Sequence, residues 1–448
     1  MIAHWRVLVC TVILLVVLNA PPANAAGTDS RYLSLSKGTL IKKRRQPLFS
    51  VIAQGDQPLF VSAEGTFRPR GIGTANAFIT VDGVKVSNDS VIDWRGSEAP
   101  VEHSFQVIAS PKLGKGPHKI VLVADGSSPF TVEANSNLAI MTAPAENIFS
   151  DTIREDSGIV AVDTPPSKNG ETPLPYVPIA TVDVPVDKNP IVVMAAGRSY
   201  YAGSKHMDYG DVMWGLWIDG TEAGANNATY ADNDIWRGAE LQAPMFVQGL
   251  FDQLPVGQHR ISLGASAEPW SEKNGIDKVR YRVGAYTRVI ALNGNMTVVG
   301  HVSAIEGEKE PLSYNRFPYK CVATSKNWPN CPPVGQDVTI ASGIIDVPSG
   351  HNGIIFISAM TRLQGDSQDK GGRFVMWLTI DGVRKGSTGV QQLSPHSAVS
   401  TRTIPVSFLT TGKDALSPGK HTVELHAQIF GDFAHLSVTR NMPIMWFD

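Results

Sequence analysis

The chain has 448 residues and a formal net charge of −2 at neutral pH. Because there is no basic surplus, nucleic acid is not expected as a main partner. The 41 glycines and 30 prolines are typical of a fold with many turns and few long helices. Beyond the N-terminus no apolar run reaches the length of a membrane-spanning helix, so no membrane span is expected.

The N-terminus has the pattern of a cleaved secretory signal. His4 and Arg6 precede an apolar run over residues 7–18, and the small-residue segment Ala-Asn-Ala follows at 23–25. A run of this length suits a signal sequence and is too short for a permanent membrane helix. We therefore expect residues 1–25 to be removed and the mature protein to be secreted, periplasmic or extracellular.

Two cysteines remain after the signal, Cys321 and Cys331, in the segment CVATSKNWPNC. In an oxidising compartment two cysteines most simply pair. No nearby His or Cys completes a four-ligand set for a metal. The sequence therefore predicts a disulfide that pins one loop, with no metal and no other cofactor.

Three anchors recur three times in the same order. Each copy has an apolar run that leads into an Arg, a second run that ends in an Asp-Gly turn, and then a Gly-x-His segment. Apolar residues at the second and fourth positions after each His predict a half-buried strand. The anchors are Arg68, Arg198 and Arg362; Asp82, Asp219 and Asp381; and His118, His259 and His421.

The repeats are too long for a solenoid and predict whole domains in tandem. Short strands broken by Gly, Pro and Asn turns predict an all-β fold of three tandem jelly-roll-like β-sandwich domains after the signal peptide. The expected boundaries are 1–25 signal peptide, 40–143 first sandwich, 144–181 proline-rich linker, 182–301 second sandwich, 302–336 linker with the cysteine loop, and 337–448 third sandwich.

A Trp-Arg-Gly tripeptide lies between the Asp-Gly turn and the Gly-x-His segment in the first two repeats, at Trp94 and Trp236. The third repeat has none. Adjacent residues of an extended chain point to opposite faces, so we expect each Trp to be buried and its Arg exposed. In the third repeat an apolar side chain from 404–408 should fill the same space. The opposite orientation would make Trp236 part of a ligand surface.

No motif indicates an enzyme, and we expect none of the residues to be catalytic. The chain has no HExxH, P-loop or GxSxG sequence. The tripeptide Gly-Asp-Ser at 365–367 lies in a stretch that reads as a polar loop, not on a strand-to-helix elbow. The repeated histidines lack repeated catalytic partners, so hydrogen bonding to a turn is the expected role.

The second repeat is rich in aromatic and acidic residues. Aromatic rings cover the C–H face of a sugar while polar groups bind its hydroxyls, so this composition favours a glycan surface. The alternative is that these rings pack the sandwich core. The candidate ligand residues are Tyr200, Tyr201, Asp208, Tyr209, Asp211, Trp236 and Arg237.

The leading hypothesis is a secreted, non-catalytic protein that binds a glycan or another cell-surface polymer. The basic run at 42–45 would suit an anionic polymer, although a solvated arm is the more ordinary explanation of such a run. One alternative is a structural, fibre-like protein that assembles into a homo-oligomer. A second is a carbohydrate-active hydrolase or lyase that uses Asp208, Asp211, Asp232 or Asp234.

Overall fold

The structure is a computed structural model, and it describes an all-β chain. In the part described, the regular elements are antiparallel strands and two single-turn 3₁₀ helices, Ala145–Asn147 and Gly412–Asp414. No helix there is long and apolar enough to cross a membrane. The residues described are 30–42, 44–55, 57–94, 101–153, 159–164, 176–187, 190–201, 211–223, 231–234, 243–251, 254–268, 279–293, 335–393 and 400–446.

Unit 1 is a sandwich of two sheets over residues 31–142. Its strands are β1 (Arg31–Ser34), β2 (Thr39–Ile41), β3 (Gln46–Gln54), β4 (Leu59–Pro69), β5 (Thr74–Val81), β6 (Val84–Lys85), β7 (Ser90–Asp93), β8 (His103–Ala109), β9 (Pro117–Gly126), β10 (Phe130–Val132) and β11 (Asn137–Thr142). One sheet has the order β1-β11-β4-β10-β2, with β8 on β4. The other has the order β3-β9-β5-β6, with β7 on β5.

Unit 2 repeats this arrangement over residues 148–293. Its strands are β12 (Ile148–Thr152), β13 (Ile159–Thr164), β14 (Val177–Val186), β15 (Ile191–Tyr201), β16 (Asp211–Ile218), β17 (Thr221–Glu222), β18 (Ala231–Asp234), β19 (Ala243–Phe251), β20 (Gly257–Glu268), β21 (Val279–Gly284) and β22 (Arg288–Asn293). One sheet has the order β12-β22-β15-β21-β13, with β19 on β15. The other has the order β14-β20-β16-β17, with β18 on β16.

Unit 3 covers residues 338–446 and joins both layers through two long strands. Its strands are β23 (Val338–Val347), β24 (Ile355–Ile380), β25 (Val383–Leu393), β26 (Ser400–Leu409), β27 (Gly419–Asn441) and β28 (Ile444–Trp446). The order is β23-β27-β24-β25, with β26 and β28 on β24. Strand β24 corresponds to β4 and β5 of unit 1 joined into one strand, because it pairs with β26 in one layer and with β25 in the other.

Each unit has its own apolar core between its two layers. The alternating burial along the edge strand β14 shows how the period-two pattern of the sequence builds this core: Val182, Val184 and Val186 are buried, whereas the residues between them are more exposed. The predicted all-β sandwich architecture is therefore confirmed.

Part of the expected linker and one expected loop form strands instead. Residues 148–152 and 159–164, expected in the linker 144–181, form β12 and β13 of unit 2. Both are edge strands, where irregular patterns and nearby prolines are tolerated, so the proline-rich composition concealed them.

The Gly-Asp-Ser stretch at 365–367, expected in a loop, lies within strand β24. The pairing of β24 with β27 shifts register at this stretch, and such irregularities accommodate small and polar residues within a strand. That the units are independently folding domains stays a prediction.

The three units contact each other in a closed ring. Strand β7 of unit 1 packs on β19 of unit 2, β18 of unit 2 on β26 of unit 3, and β25 of unit 3 on β8 of unit 1. Within the units β7, β18 and β25 are equivalent, as are β8, β19 and β26, since each pairs with the corresponding central strand. The same two faces therefore meet at each junction, which is a heterologous ring built inside one chain.

A fourth apolar cluster, here called the shared core, draws residues from all three units. Phe60, Val192 and Phe356, the second residues of β4, β15 and β24, all belong to it. The ring of Phe60 meets that of Phe356 edge-on at 5.6 Å. The inner sheet of each unit therefore buries both faces, one in its own sandwich and one in the shared core.

Candidate functional site

The histidine of each repeat is bonded to the aspartate of its turn. In unit 2, His259 Nδ1 lies 2.7 Å from Asp219 Oδ2, and His259 Nε2 lies 2.8 Å from the carbonyl oxygen of Pro255. The backbone N–H of Arg260 donates to the other carboxylate oxygen at 2.8 Å. Asp219 has φ 51°, a left-handed conformation that these bonds hold in place.

The same bonds recur in the other two units, at His118–Asp82 and His421–Asp381, each with a 2.7 Å contact. The expected structural role of the histidines is confirmed, because both ring nitrogens are used by the turn and by the preceding loop. The hydrogen bond to the aspartate raises the pKa of each histidine. We call these three pairs the turn clamps.

Trp94 is buried in the core of unit 1, as the structural interpretation of Trp-Arg-Gly predicts. Its Nε1 donates to the carbonyl oxygen of Val101 at 3.0 Å, and its ring lies 6.4 Å from that of Phe130. In unit 3 the apolar segment 404–408 is also in the core, but by register Ile404 corresponds to Phe105 and not to Trp94. That this segment fills the space of the tryptophan in unit 3 stays a prediction.

The structure places three of the predicted ligand residues at one end of unit 2. Tyr200 and Tyr201 are the last residues of β15, and Asp211 is the first residue of the next strand, β16. Nine residues connect the two strands, so their ends lie at the same end of the sandwich. Asp208, Tyr209, Trp236 and Arg237 lie outside the residues that the structure describes, as do Cys321 and Cys331.

Backbone register aligns three acidic residues at this end. Asp211 is paired with Asp234 of β18 on one side and with Glu268 of β20 on the other. On the neighbouring sheet, Tyr200 is paired with Arg282 and Tyr201 with Tyr281. We call this part of the molecule the loop end of unit 2.

The corresponding row in the other units has different chemistry. The position eight residues before the turn aspartate is Thr74 in unit 1 and Arg373 in unit 3. Thr74 is bonded to Ser127 through its hydroxyl at 3.1 Å, and Arg373 Nε donates to Glu102 at 2.7 Å. The three-carboxylate row is thus particular to unit 2 and is not required by the fold.

The tryptophans of unit 2 belong to the interior. Trp214 and Trp217 are 0% and 1% exposed. Trp214 lies in the core of unit 2, and Trp217 stacks on Tyr176 at 4.4 Å on the other face of the sheet. This confirms the packing interpretation for these two rings and leaves the tyrosines at the end of β15 as the aromatic ligand candidates of the described part.

Sequence reasoning missed an aromatic and charged group on the outer sheet of unit 3. The ring of Trp377 stacks on that of His426 at 5.7 Å, and the guanidinium of Arg384 lies 4.6 Å from the centre of the tryptophan ring. His426 is also bonded to Asp337 at 2.8 Å. Trp377 is only 6% exposed, so it is not an open platform for a sugar. The sequence signal for this group was a tryptophan four residues before the turn aspartate. That tryptophan resembled an ordinary strand residue.

No protein-family model and no curated protein matches this chain. Among solved structures, the chain is similar to tandem CBM22 domains of Xyn10C from Paenibacillus barcinonensis, with 12% identity, 60% of this chain and 92% of that chain covered, and a TM-score of 0.18. A structure of infectious bursal disease virus, Gt strain, matches at 8% identity over 92% of this chain and 80% of that chain, with a TM-score of 0.24.

Tandem CBM51 modules of a family 98 glycoside hydrolase from Streptococcus pneumoniae match at 11% identity over 58% of this chain and 87% of that chain, with a TM-score of 0.15. TM-scores this low carry no argument about the ligand of this chain.

Proposed function

We propose that the protein is non-catalytic and binds carbohydrate at the loop end of unit 2. The observation that carries this proposal is the row Asp234–Asp211–Glu268 on three adjacent strands, at the same end of the sandwich as Tyr200 and Tyr201. Carboxylates accept hydrogen bonds from sugar hydroxyls, and tyrosine rings cover the apolar face of a pyranose.

Fold stability does not account for this row. Like charges at directly opposite positions of an antiparallel sheet are destabilising, and the two other units avoid them at the same register. A costly arrangement that the fold does not need is the kind of feature that binding sites retain. Several sugar hydroxyls, each donating to a carboxylate, would offset the repulsion in the complex.

The experiment is a glycan array followed by titration of the strongest ligand. Asp211→Asn and the double change Tyr200→Ala with Tyr201→Ala should each weaken binding by about tenfold or more, since losing one good polar or stacking contact is worth about 1.4 kcal/mol. Thr74→Val, at the corresponding register of unit 1, is the matched control and should bind like the wild type.

Binding that survives both loop-end variants would place the site elsewhere, and a folded wild type that binds no glycan would refute the proposal. The assay solutions also test the hydrolase or lyase alternative, because release of products from a polysaccharide panel would show turnover. Unchanged polysaccharide alongside measurable binding supports a non-catalytic role.

Two features of the fold argue against the alternative of a structural, fibre-like assembly: the closed ring of three units and the irregular edge strands of the outer sheets. The three equivalent junctions are already occupied within one chain, so no further copy is needed to complete them. The outer edge strands β3, β14 and β23 each carry a register shift, and β3 and β14 also carry proline, devices that discourage edge-to-edge pairing. A single sharp oligomer in solution without glycan binding would favour assembly instead.

A further inference from the structure

Glu64 is a carboxyl group buried at the junction between unit 1 and unit 3. It is the sixth residue of β4 and is 0% exposed. Its Oε1 accepts from Gln106 Nε2 at 2.7 Å and from Ser62 Oγ at 3.5 Å. Its Oε2 accepts from Ser387 Oγ, on β25 of unit 3, at 3.4 Å. The carboxyl therefore bridges two units through hydroxyl and amide groups that carry no charge.

The polar groups around Glu64 belong to both units. By register Glu64 lies between Asn137 of β11 and Gln106 of β8, and Asn137 Nδ2 donates across the junction to the carbonyl oxygen of Ser407 at 3.1 Å. The N–H of Ser407 donates in turn to Ser387 Oγ at 2.9 Å. Any change in the charge of Glu64 is therefore felt on both sides of the junction.

Four titratable groups on the elements around Glu64 have other partners or are neutral. Burial raises the pKa of the Tyr32 phenol on β1, so this group stays neutral. His103, at the start of β8, lies 3.2 Å from Gln391 Nε2. On β25, Lys385 Nζ is 2.7 Å from Asp414, and Arg384 donates to Thr388. Arg402 of β26 is paired by register with Leu363, five positions before Ser407.

The fold does not require a carboxyl at this position. The sixth residue is Ala196 in β15 and Met360 in β24, and both are buried in the shared core. The junction between units 2 and 3 is held by a neutral pair, in which Ser358 Oγ donates to Gln248 Oε1 at 2.6 Å. Unit 1 alone places an ionisable group where its counterparts are apolar.

We propose that Glu64 makes the contact between units 1 and 3 sensitive to pH, holding them together when its carboxyl is neutral and loosening them when it ionises. Desolvation raises the pKa of Glu64 from 4.5 to about 7. Because the pKa is higher in the docked state, the full contact is present below pH 4.5, weakens as the pH rises toward 7, and is weakest above it. A shift of this size changes the docking equilibrium by on the order of 100-fold.

Hydrogen exchange of backbone amides tests the proposal in the full chain. Two amides report on the junction: Val390 N–H donates to Ser104 Oγ at 2.9 Å, and Gln392 N–H donates to the carbonyl oxygen of Glu102 at 3.0 Å. After correction for intrinsic exchange, their protection should fall by on the order of 100-fold between pH 5 and pH 8. The amide of Ala223, bonded within unit 2, is the internal control and should not change.

Glu64→Gln keeps the shape but cannot ionise, and its side-chain N–H2 can donate to Ser387 Oγ as the O–H of the neutral carboxyl would. Its junction amides should therefore be protected equally at both pH values. If the variant shows the same pH dependence as the wild type, or if Ala223 loses protection together with the junction, the proposal is overturned. Glu64→Met, which introduces the residue of the corresponding position in unit 3, is the second variant should the glutamine variant not fold.

Discussion

The Trp94 side chain combines apolar burial with a hydrogen bond from its only polar atom. It packs in the core of unit 1 and donates to the carbonyl oxygen of Val101. Truncating a buried tryptophan to alanine costs about 3–5 kcal/mol, whereas an exposed Arg–Glu pair contributes about 0–1 kcal/mol. The difference in size identifies the tryptophan as the structural element of the Trp-Arg-Gly motif in unit 1.

Trp94→Ala should therefore lower the free energy of unfolding by about 3–5 kcal/mol. Trp94→Phe retains most of the apolar contact but leaves the carbonyl oxygen of Val101 without its donor, and should cost about 1–3 kcal/mol. Denaturant titration of the full chain measures both. Equal stability of all three proteins would show that the tryptophan does not support the core.

The turn clamps give a second prediction at the residue scale, because the pKa of the histidine is raised and that of the aspartate is lowered. The hydrogen bond to aspartate raises the pKa of His259 above 6.5, and the hydrogen bond from the Arg260 N–H lowers that of Asp219 below 3.8. The histidine contribution is full below pH 6.5 and is lost as the pH rises through the raised value. The aspartate contribution is present above pH 3.8 and is lost as the pH falls through the lowered value.

The clamps should consequently stabilise the turns most between about pH 4 and pH 6. NMR titration should show three histidines with pKa values above 6.5. Asp219→Asn should bring only His259 back toward that value, leaving His118 and His421 as controls in the same molecule. An unchanged His259 in this variant would contradict the assigned bond.

At the scale of one element, the Asp-Gly turn depends on backbone conformation. Asp82 and Gly83 have φ of 50° and 83°, the pair of positive values that a type I′ hairpin turn requires. A methyl group on Gly83 would meet no atom within 4 Å, so space is not the reason for glycine there. The left-handed conformation itself is the constraint.

Gly83→Ala should thus cost about 1–2 kcal/mol from the left-handed conformation alone. Gly71 is the matched control, because it has the same open surroundings without a positive φ. Gly71→Ala should be neutral or stabilising by about 0.4–1 kcal/mol. Thermal unfolding of the two variants in parallel separates conformational strain from any general effect of an added methyl group, and equal effects would refute the argument.

The elements that the sequence predicted well are those with local chemistry. Asp-Gly at the end of an apolar run fixes a turn, and the histidine that follows has a bonding partner within the same repeat. Strands β12 and β13 lacked such signals, since edge strands pair on one side only and tolerate irregular composition. In the candidate site, Asp211 and the two tyrosines were identified by composition, but the pairing of Asp211 with Asp234 and Glu268 follows from register, which residue spacing alone does not give.

The anchor arginines also show that residue spacing alone does not give the register of a strand. Arg198 and Arg362 are each the eighth residue of their strands, so they correspond in the fold. Arg68 is the tenth residue of β4, and it is bonded to Glu102 and Glu133. The arginine therefore marked the correct strand in unit 1 but the wrong position within it.

At the scale of the whole molecule, the ring explains why the central strands are apolar on both faces. In β4 the residues from Leu59 to Val61 are all buried, which an isolated two-layer sandwich with one solvated face does not produce. Such a run indicates two-sided burial, but it does not indicate which unit covers the second face. The shared core could be found only by assembling the three units.

Phe60 of unit 1 and Phe356 of unit 3 provide the last prediction, a double-mutant cycle across the shared core. The two rings meet at 5.6 Å, an edge-on pair worth about 0.5–1.5 kcal/mol beyond its buried area. Each single change to alanine should lower the free energy of unfolding by about 3–5 kcal/mol, because both side chains are fully buried. The double variant should lose less than the sum by the coupling energy of the pair.

Phe374→Ala is the matched control for this cycle. Phe374 is buried to the same degree, but it belongs to the separate core of unit 3 and not to the shared core. Its effect should add to that of Phe60→Ala within about 0.5 kcal/mol, since residues without shared partners are independent. Coupling in the Phe60–Phe356 cycle together with additivity in the control would show that units 1 and 3 are docked in solution. Additivity in both cycles would mean that the shared core does not form, and would remove the basis for the pH-sensitive junction at Glu64 as well.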